Sequence, residues 1–219
     1  MREYNAIKDY PQPHARIVGT RSINHRIMAS YRSWHFFDCE RDYGYGGLIY
    51  DGRWKPVAQS IVEEYKLVSG SSVLQLNCEK GFLLHELHQL GVDALGVEPS
   101  AYARRHAMPS IKAHITPTWT RKEPVDLLIA LGVVYTLTLP EAMECLRRIE
   151  QSAFRAFVTL ASYETQADYW LFKKWSLLAS TILKKQEWVE VLRHVGYSGD
   201  YCFVNAETLK LSEPWSYLS

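Results

Sequence analysis

No stretch of the 219-residue sequence approaches the roughly 20 consecutive apolar residues that span a bilayer. The opening segment MREYNAIKDYPQPHARIVG has no apolar signal-peptide core, so the expected location is the cytoplasm, with no membrane contact. Excess charge is also lacking: 25 basic side chains against 24 acidic ones leave a formal charge of +1. No global field would draw such a chain to nucleic acid, and a small or neutral partner is favoured. The four cysteines, Cys39, Cys78, Cys145 and Cys202, form neither a CxxC pair nor a metal-ligand spacing, which argues for reduced thiols rather than a zinc site or a disulfide framework. His85 and His88 lie three apart without a third ligand at suitable spacing, so no metal is expected. Repeats and low-complexity tracts are absent.

What is present is core-forming material. Hydrophobic residues make up 47% of the chain and charged residues 22%, enough for one self-sufficient domain. Residues 1–42 are rich in Arg, His and aromatic side chains without sustained periodicity, and read as a partly helical extension that packs on the domain or covers a site. Residues 43–219 form the main domain. Its first segment, DYGYGGLIYDGRW, alternates glycine with tyrosine and is loop chemistry with aromatic faces to offer.

From residue 54 onward helix and strand patterns alternate. A helix is expected over 54–66, a strand over Ser72–Leu76, a helix from Gly81 to Leu90 and a strand over Ala94–Val97. Ser100 can cap the next helix, and Ile111–Ile115 reads as a third strand. The run VDLLIALGVVYTL begins as a strand apolar on both faces, Pro140 fits the first turn of a helix ending near Gln151, and 154–160 returns to strand. A long helix over 167–181 and a second over Lys185–Val195, terminated by Gly196, precede two closing strands, 201–205 and 208–211, read as an antiparallel hairpin at the sheet edge. This is an α/β pattern: a mostly parallel sheet with helices on both faces.

In such a sheet a ligand sits beyond the carboxyl ends of the strands, where strand order reverses. The first strand-to-helix turn reads VLQLNCEKGF, and the next strand ends GVEPS, placing a carboxylate, Glu98, where it can accept hydrogen bonds from both hydroxyls of a ribose. The same carboxylate could instead favour the following helix start through the helix dipole.

At these residues the sequence resembles class I S-adenosyl-L-methionine (SAM) methyltransferases: VLQLNCEKGFLLHELHQLGVDALGVEPSAYA looks like their first two motifs. YGYGGLIYDGRWKPVA before it and KKWSLLASTILKKQEWVEVLRHVGYSGDY after it resemble a bacterial subgroup associated with lipopolysaccharide or sugar biosynthesis. The resemblance implies the Rossmann-like methyltransferase fold with a seven-stranded sheet, SAM as cofactor and methyl transfer to a sugar or glycolipid precursor. Cofactor binding then falls to Glu98, Gly81, Asn77, Cys78, Glu79, Leu131 and Gly132. Acceptor contacts fall to Tyr45, Tyr50, Arg53 and Trp54, with Tyr135 and Asp51 as candidate catalytic groups.

The sequence also departs from the pattern. Where the subgroup carries Asp-x-Gly-x-Gly-x-Gly, this chain has Gln75, Asn77 and Glu79, and only Gly81 remains. Asn77 tolerates a left-handed backbone, whereas Glu79 adds bulk and charge where backbone should face the cofactor. It would either repel the methionine carboxylate or meet the ammonium or sulfonium charge. The subgroup's INTxHNL-like segment is LGVVYTL here, without the histidine that could serve as a base. These departures define an alternative, a degenerate member acting as a non-catalytic binding or regulatory subunit, paired with itself or with a related methyltransferase. Within the loop, Asp51 and Arg53 could instead pair as a structural collar. GYSGDY reads mainly as a turn, with Asp200 or Tyr201 a less favoured reach into the acceptor pocket.

Overall fold

A computed structural model describes residues 1–11 and 14–213. The chain begins with two short strands, β1 (Arg2–Glu3) and β2 (Arg16–Ile17), and two helices, α1 (Ile23–Ser30) and α2 (Trp34–Asp38). After the glycine–tyrosine loop come α3 (Lys55–Glu64), β3 (Ser72–Leu76), α4 (Phe82–Gln89), β4 (Asp93–Val97), α5 (Ala101–Arg105) and β5 (Ile115–Thr116). The second half continues with β6 (Leu127–Ala130), α6 (Leu139–Gln151), β7 (Ala156–Ala161), α7 (Gln166–Trp175), α8 (Lys185–Val195), β8 (Asp200–Val204) and β9 (Leu211–Ser212).

Seven strands form one sheet in the order β1-β8-β7-β6-β3-β4-β5, with every neighbouring pair parallel. The central strands β6 and β7 are buried at every position, as a sheet covered on both faces requires. Alternation along the strands divides the core in two. Val73, Leu127 and Ile129 face α3 and α4, packing with Ile61, Leu83 and Leu87, while Leu74, Leu128 and Val158 face α6 and α8, packing with Leu146, Ile149 and Trp188. The chain runs from β3 outward to β4 and β5, then returns to lay β6 on the other side of β3. The order therefore reverses between β3 and β6, and the carboxyl ends of these two strands frame the crevice where a ligand is expected.

Local signals explain the helix ends. The Ser100 hydroxyl accepts from Ala103 N–H at 3.1 Å, Thr138 and Glu141 form a reciprocal cap on α6, and Gly196 ends α8 in the left-handed conformation at φ +74°. Three expectations fail. The third strand shrinks to Ile115–Thr116, because residues 112–114 form a 3-10 turn. The expected long helix stops at Trp175, and the following segment instead wraps Tyr135, whose carbonyl accepts from Ser180 N–H at 2.9 Å and Thr181 N–H at 3.0 Å. The antiparallel edge hairpin is absent from the described residues. The outer edge of β8 is taken by β1, pairing Arg2 with Asp200 and Glu3 with Tyr201, and β9 leaves the main sheet to pair in parallel with β2. No helix among the described residues is long and apolar enough to cross a membrane.

Candidate functional site

The turn after β3 places Asn77, Glu79 and Gly81 at φ +49°, +58° and +74°. All three thus hold the left-handed backbone that glycine adopts freely, although two of them are not glycine. A residue with a Cβ gives up about 1–2 kcal/mol in this region, and Asn bears it better than Glu. At Gly81 a Cβ would lie 2.3 Å from Cδ1 of the buried Ile111, so a larger residue would force that side chain to shift. Cys78 points the other way, buried beneath the turn against Gly96.

Glu98, at the end of β4, is fully buried. One carboxylate oxygen accepts from Ser100 N–H at 2.8 Å; the other accepts from Glu79 N–H at 2.8 Å and from Nη2 of Arg32 at 3.1 Å. Arg32 lies between α1 and α2 at φ +44°, its carbonyl held by the Ser100 hydroxyl and its guanidinium 5.3 Å and 5.6 Å from the ring centres of Phe36 and Phe37. A second tie binds the same segment to the turn. Nζ of Lys80 donates to both oxygens of Asp38, at 2.6 Å and 2.8 Å, and the Tyr102 hydroxyl donates to Asp38 at 2.6 Å. Burial opposes ionisation of Asp38, but these bonds prevail and hold its carboxyl below the usual range.

Between the turn, the glycine–tyrosine loop and the end of β6 lies a cavity of about 450 Å³. Glu79 turns into it and accepts a hydrogen bond from the Tyr45 hydroxyl. The carboxyl touches the cavity but sits deep in the molecule, and burial pushes it up to about 7; Tyr45 and Arg32 favour its charge, while Glu98 opposes it. Tyr135, in the 3-10 turn after β6, is raised to about 12 by burial and the nearby Glu79, so it stays protonated and keeps its hydroxyl as a donor. A second cavity of about 400 Å³ opens at the opposite end of the sheet, beside Asp200 and Gly199, where Arg2 pairs with Glu64 and Asp200. It lies away from the strand-order reversal.

Neither a protein-family model nor a curated protein matches the sequence. Solved structures do match. Magnesium protoporphyrin IX methyltransferase (ChlM) from Synechocystis PCC 6803 with bound SAM superposes with a TM-score of 0.52 at 16% identity, covering 78% of this chain and 86% of that one. The chain has the Rossmann-like methyltransferase fold. The same enzyme with bound SAH gives a TM-score of 0.52 at 18% identity over 71% of this chain and 80% of that one. The mitomycin 7-O-methyltransferase MmcR aligns over 66% of this chain at 14% identity and a TM-score of 0.46, and here the chain spans only 50% of the neighbour's length.

Within this methyltransferase fold, the candidate residues separate into three groups. Tyr45, Arg53, Trp54, Asn77, Glu79, Leu131, Gly132 and Tyr135 line the cavity. Glu98, Cys78 and Gly81 support it from behind. Tyr50 and Asp51 stand at its rim: the Tyr50 hydroxyl donates to Glu86, and Asp51 is held by Arg53, whose Nε lies 2.7 Å from Oδ2. The Arg53 bond keeps the Asp51 carboxyl below its usual range. Asp200 is spent on Arg2 and on the Tyr65 hydroxyl at 2.9 Å, remote from the site.

The turn and the cavity suit the methionine end of SAM: three left-handed residues open the backbone toward a space of ligand size, and Glu79 could face a positive group there. The ribose end suits it only with Arg32 displaced, because Glu98 has no exposed surface. Sequence reading missed Arg32. The arginine-rich composition of the first 42 residues was the available signal, but no spacing rule links Arg32 to a carboxylate 66 positions later.

Proposed function

We propose that this protein transfers the methyl group of SAM to a small-molecule acceptor, a sugar or glycolipid precursor, in the cytoplasm. The observation that supports this reading is the turn at Asn77, Glu79 and Gly81, which has glycine-like backbone geometry at the strand-order reversal although two of its residues are not glycine. Backbone strain of this kind persists where the surrounding structure demands it, and such places cluster at ligand sites.

The cofactor would supply an electrophilic methyl group; the chain's residues would handle binding and the proton. The backbone of Asn77–Gly81 and the Leu131–Gly132 segment would hold the methionine part. Glu79, poised near neutral pH, would accept the proton that an acceptor hydroxyl or amine loses as the new bond to carbon forms. It would thereby fill the place of the missing histidine. Tyr135, held protonated, would donate a hydrogen bond to the acceptor. Trp54 and the loop around Tyr45 would exclude water.

Titration calorimetry with SAM and SAH tests the reading: dissociation constants in the micromolar range, roughly −8 kcal/mol, are expected. Absence of binding at millimolar concentration would sink it. One observation favours the second reading, a non-catalytic subunit acting as a homodimer or beside a related methyltransferase: the Arg32–Glu98 pair closes the ribose carboxylate. That reading gains if calorimetry is silent and a related methyltransferase gains activity when mixed with this protein.

A further inference from the structure

The acceptor side of the cavity has a marked charge imbalance. Five arginines line it, Arg16, Arg21, Arg32, Arg41 and Arg53, against a single carboxylate, Glu79. Two of them are already neutralised, Arg32 by Glu98 and Arg53 by Asp51. Among the described residues, Arg16, Arg21 and Arg41 form no salt bridge with any carboxylate. Arg21 donates to the carbonyls of Trp175 and Arg41, and Nη1 of Arg41 donates to the Tyr45 carbonyl at 2.7 Å. Among the described residues the Arg16 side chain has no hydrogen-bond partner, and it rests over the Trp175 ring, 5.8 Å from its centre. A smaller cavity of about 160 Å³ adjoins this wall, and both cavities share Arg16, Arg21, Arg41 and Trp175. One further carboxylate, Asp42, lines the smaller cavity and partly offsets Arg21.

Arg16 and Arg21 are partly buried, and holding guanidinium groups there without a salt bridge is costly; Arg41 beside them is exposed. Burial and the neighbouring Arg41 both work against the charge on Arg16 and Arg21. The wall is also anchored: Arg16 belongs to β2, pinned to β9, and Arg21 and Arg41 are strapped to main-chain carbonyls that fix their planes. An arrangement of guanidinium donors facing a cavity, two of them held by main-chain carbonyls, is the chemistry that recognises planar or tetrahedral oxyanions.

We infer that Arg16, Arg21 and Arg41 form an anion-binding subsite, so that the acceptor is an acid whose phosphate or carboxylate group docks on this wall beside Trp175. The inference rests on the methyl-transfer reading only for the word acceptor; the subsite itself does not need it. The anion neutralises the wall, and the uncharged part of the molecule extends toward Glu79 and Tyr135 in the same cavity.

The test is thermal melting of the full chain at constant ionic strength with inorganic phosphate, with acetate and with glucose as an uncharged control, alongside separate SAM calorimetry. Phosphate or acetate is expected to raise the melting temperature saturably while glucose does not; the stronger of the two tells a phosphate ester from a carboxylate. Arg16→Gln, which removes no hydrogen bond of the fold, is expected to weaken that anion by about ten-fold, and Arg41→Gln provides a second variant. Unchanged melting with both anions, or a wild-type response in both variants, overturns the inference. A response lost in Arg16→Gln together with silent SAM calorimetry would keep the subsite and sink methyl transfer. SAM binding without any anion response would do the reverse.

Discussion

The two ends of the crevice are built in opposite ways. At the turn after β3, Asn77 and Glu79 hold a positive φ that glycine adopts freely, and Glu79 opens onto the cavity. At the end of β4, Glu98 is buried and accepts hydrogen bonds from Arg32, Glu79 and Ser100. A motif therefore records which residue is present, while function depends on which atoms remain unspent. At the turn, the bond from Glu79 N–H to Glu98 ties the backbone to the end of β4. At Glu98, the Arg32 guanidinium from the preceding segment occupies the carboxylate.

The largest expected effect comes from breaking the closed end. Arg32→Ala leaves the Glu98 carboxylate buried with only two backbone donors, and losing one partner of a buried pair costs about 3–5 kcal/mol. Urea denaturation should register that loss. If the ribose takes the vacated place, SAM should then raise the melting temperature of the variant more than that of the wild type, and calorimetry should give a tighter dissociation constant. Equal destabilisation with no rescue by SAM would mean that the pair is a permanent structural lock.

How much of this contrast could be read from sequence follows from the range of each signal. Elements defined by near neighbours emerged well: β3 from its apolar run, α6 from Pro140, α8 from the glycine that ends it, the cap at Ser100. Features made by distant pairs did not emerge. The edge of β8 is filled by residues 198 positions away, and Arg32 meets Glu98 across 66. The apolar character of 176–181 suggested helix, although its backbone is committed to Tyr135. Side-chain ionisation was equally illegible, because the carboxyl of Glu79 is tuned by Tyr45, Arg32 and burial rather than by its sequence neighbours.

A smaller effect sharpens the open end. An ordinary glutamate titrates near 4.5, and in the fold Glu79 is raised to about 7 by burial. The folded state therefore holds a proton that the unfolded chain releases, so stability falls as pH rises from about 4.5 to about 7 and does not recover above it. Glu79→Gln removes this penalty while keeping an acceptor for Tyr45. The variant should match the wild type at pH 4 and exceed it at pH 8 by on the order of 2–3 kcal/mol, after allowing for cavity water. If the protein transfers methyl groups as proposed, the same variant should lose the rise in rate through neutral pH without a matching change in SAM affinity. A loss of SAM affinity instead would assign Glu79 to the positive charge of the cofactor.

The smallest effect concerns the rim, where neither motif nor geometry is strained. Asp51 was a candidate catalytic group by its place in the loop, but its carboxylate is half-exposed and engaged by Arg53. Such a surface pair contributes less than about 1 kcal/mol and weakens further in salt. Asp51→Asn should thus barely move the melting temperature, and any change should vanish in high salt. If Asp51 acted on the acceptor, the variant would lose turnover with unchanged stability. If it only fixes the Arg53 side chain beside Tyr10 and Trp54, acceptor KM should rise modestly while kcat holds. The contrast between the ends of the crevice then reduces to Glu79 and Glu98, two carboxylates joined by one backbone hydrogen bond, one facing the cavity and the other sealed from it.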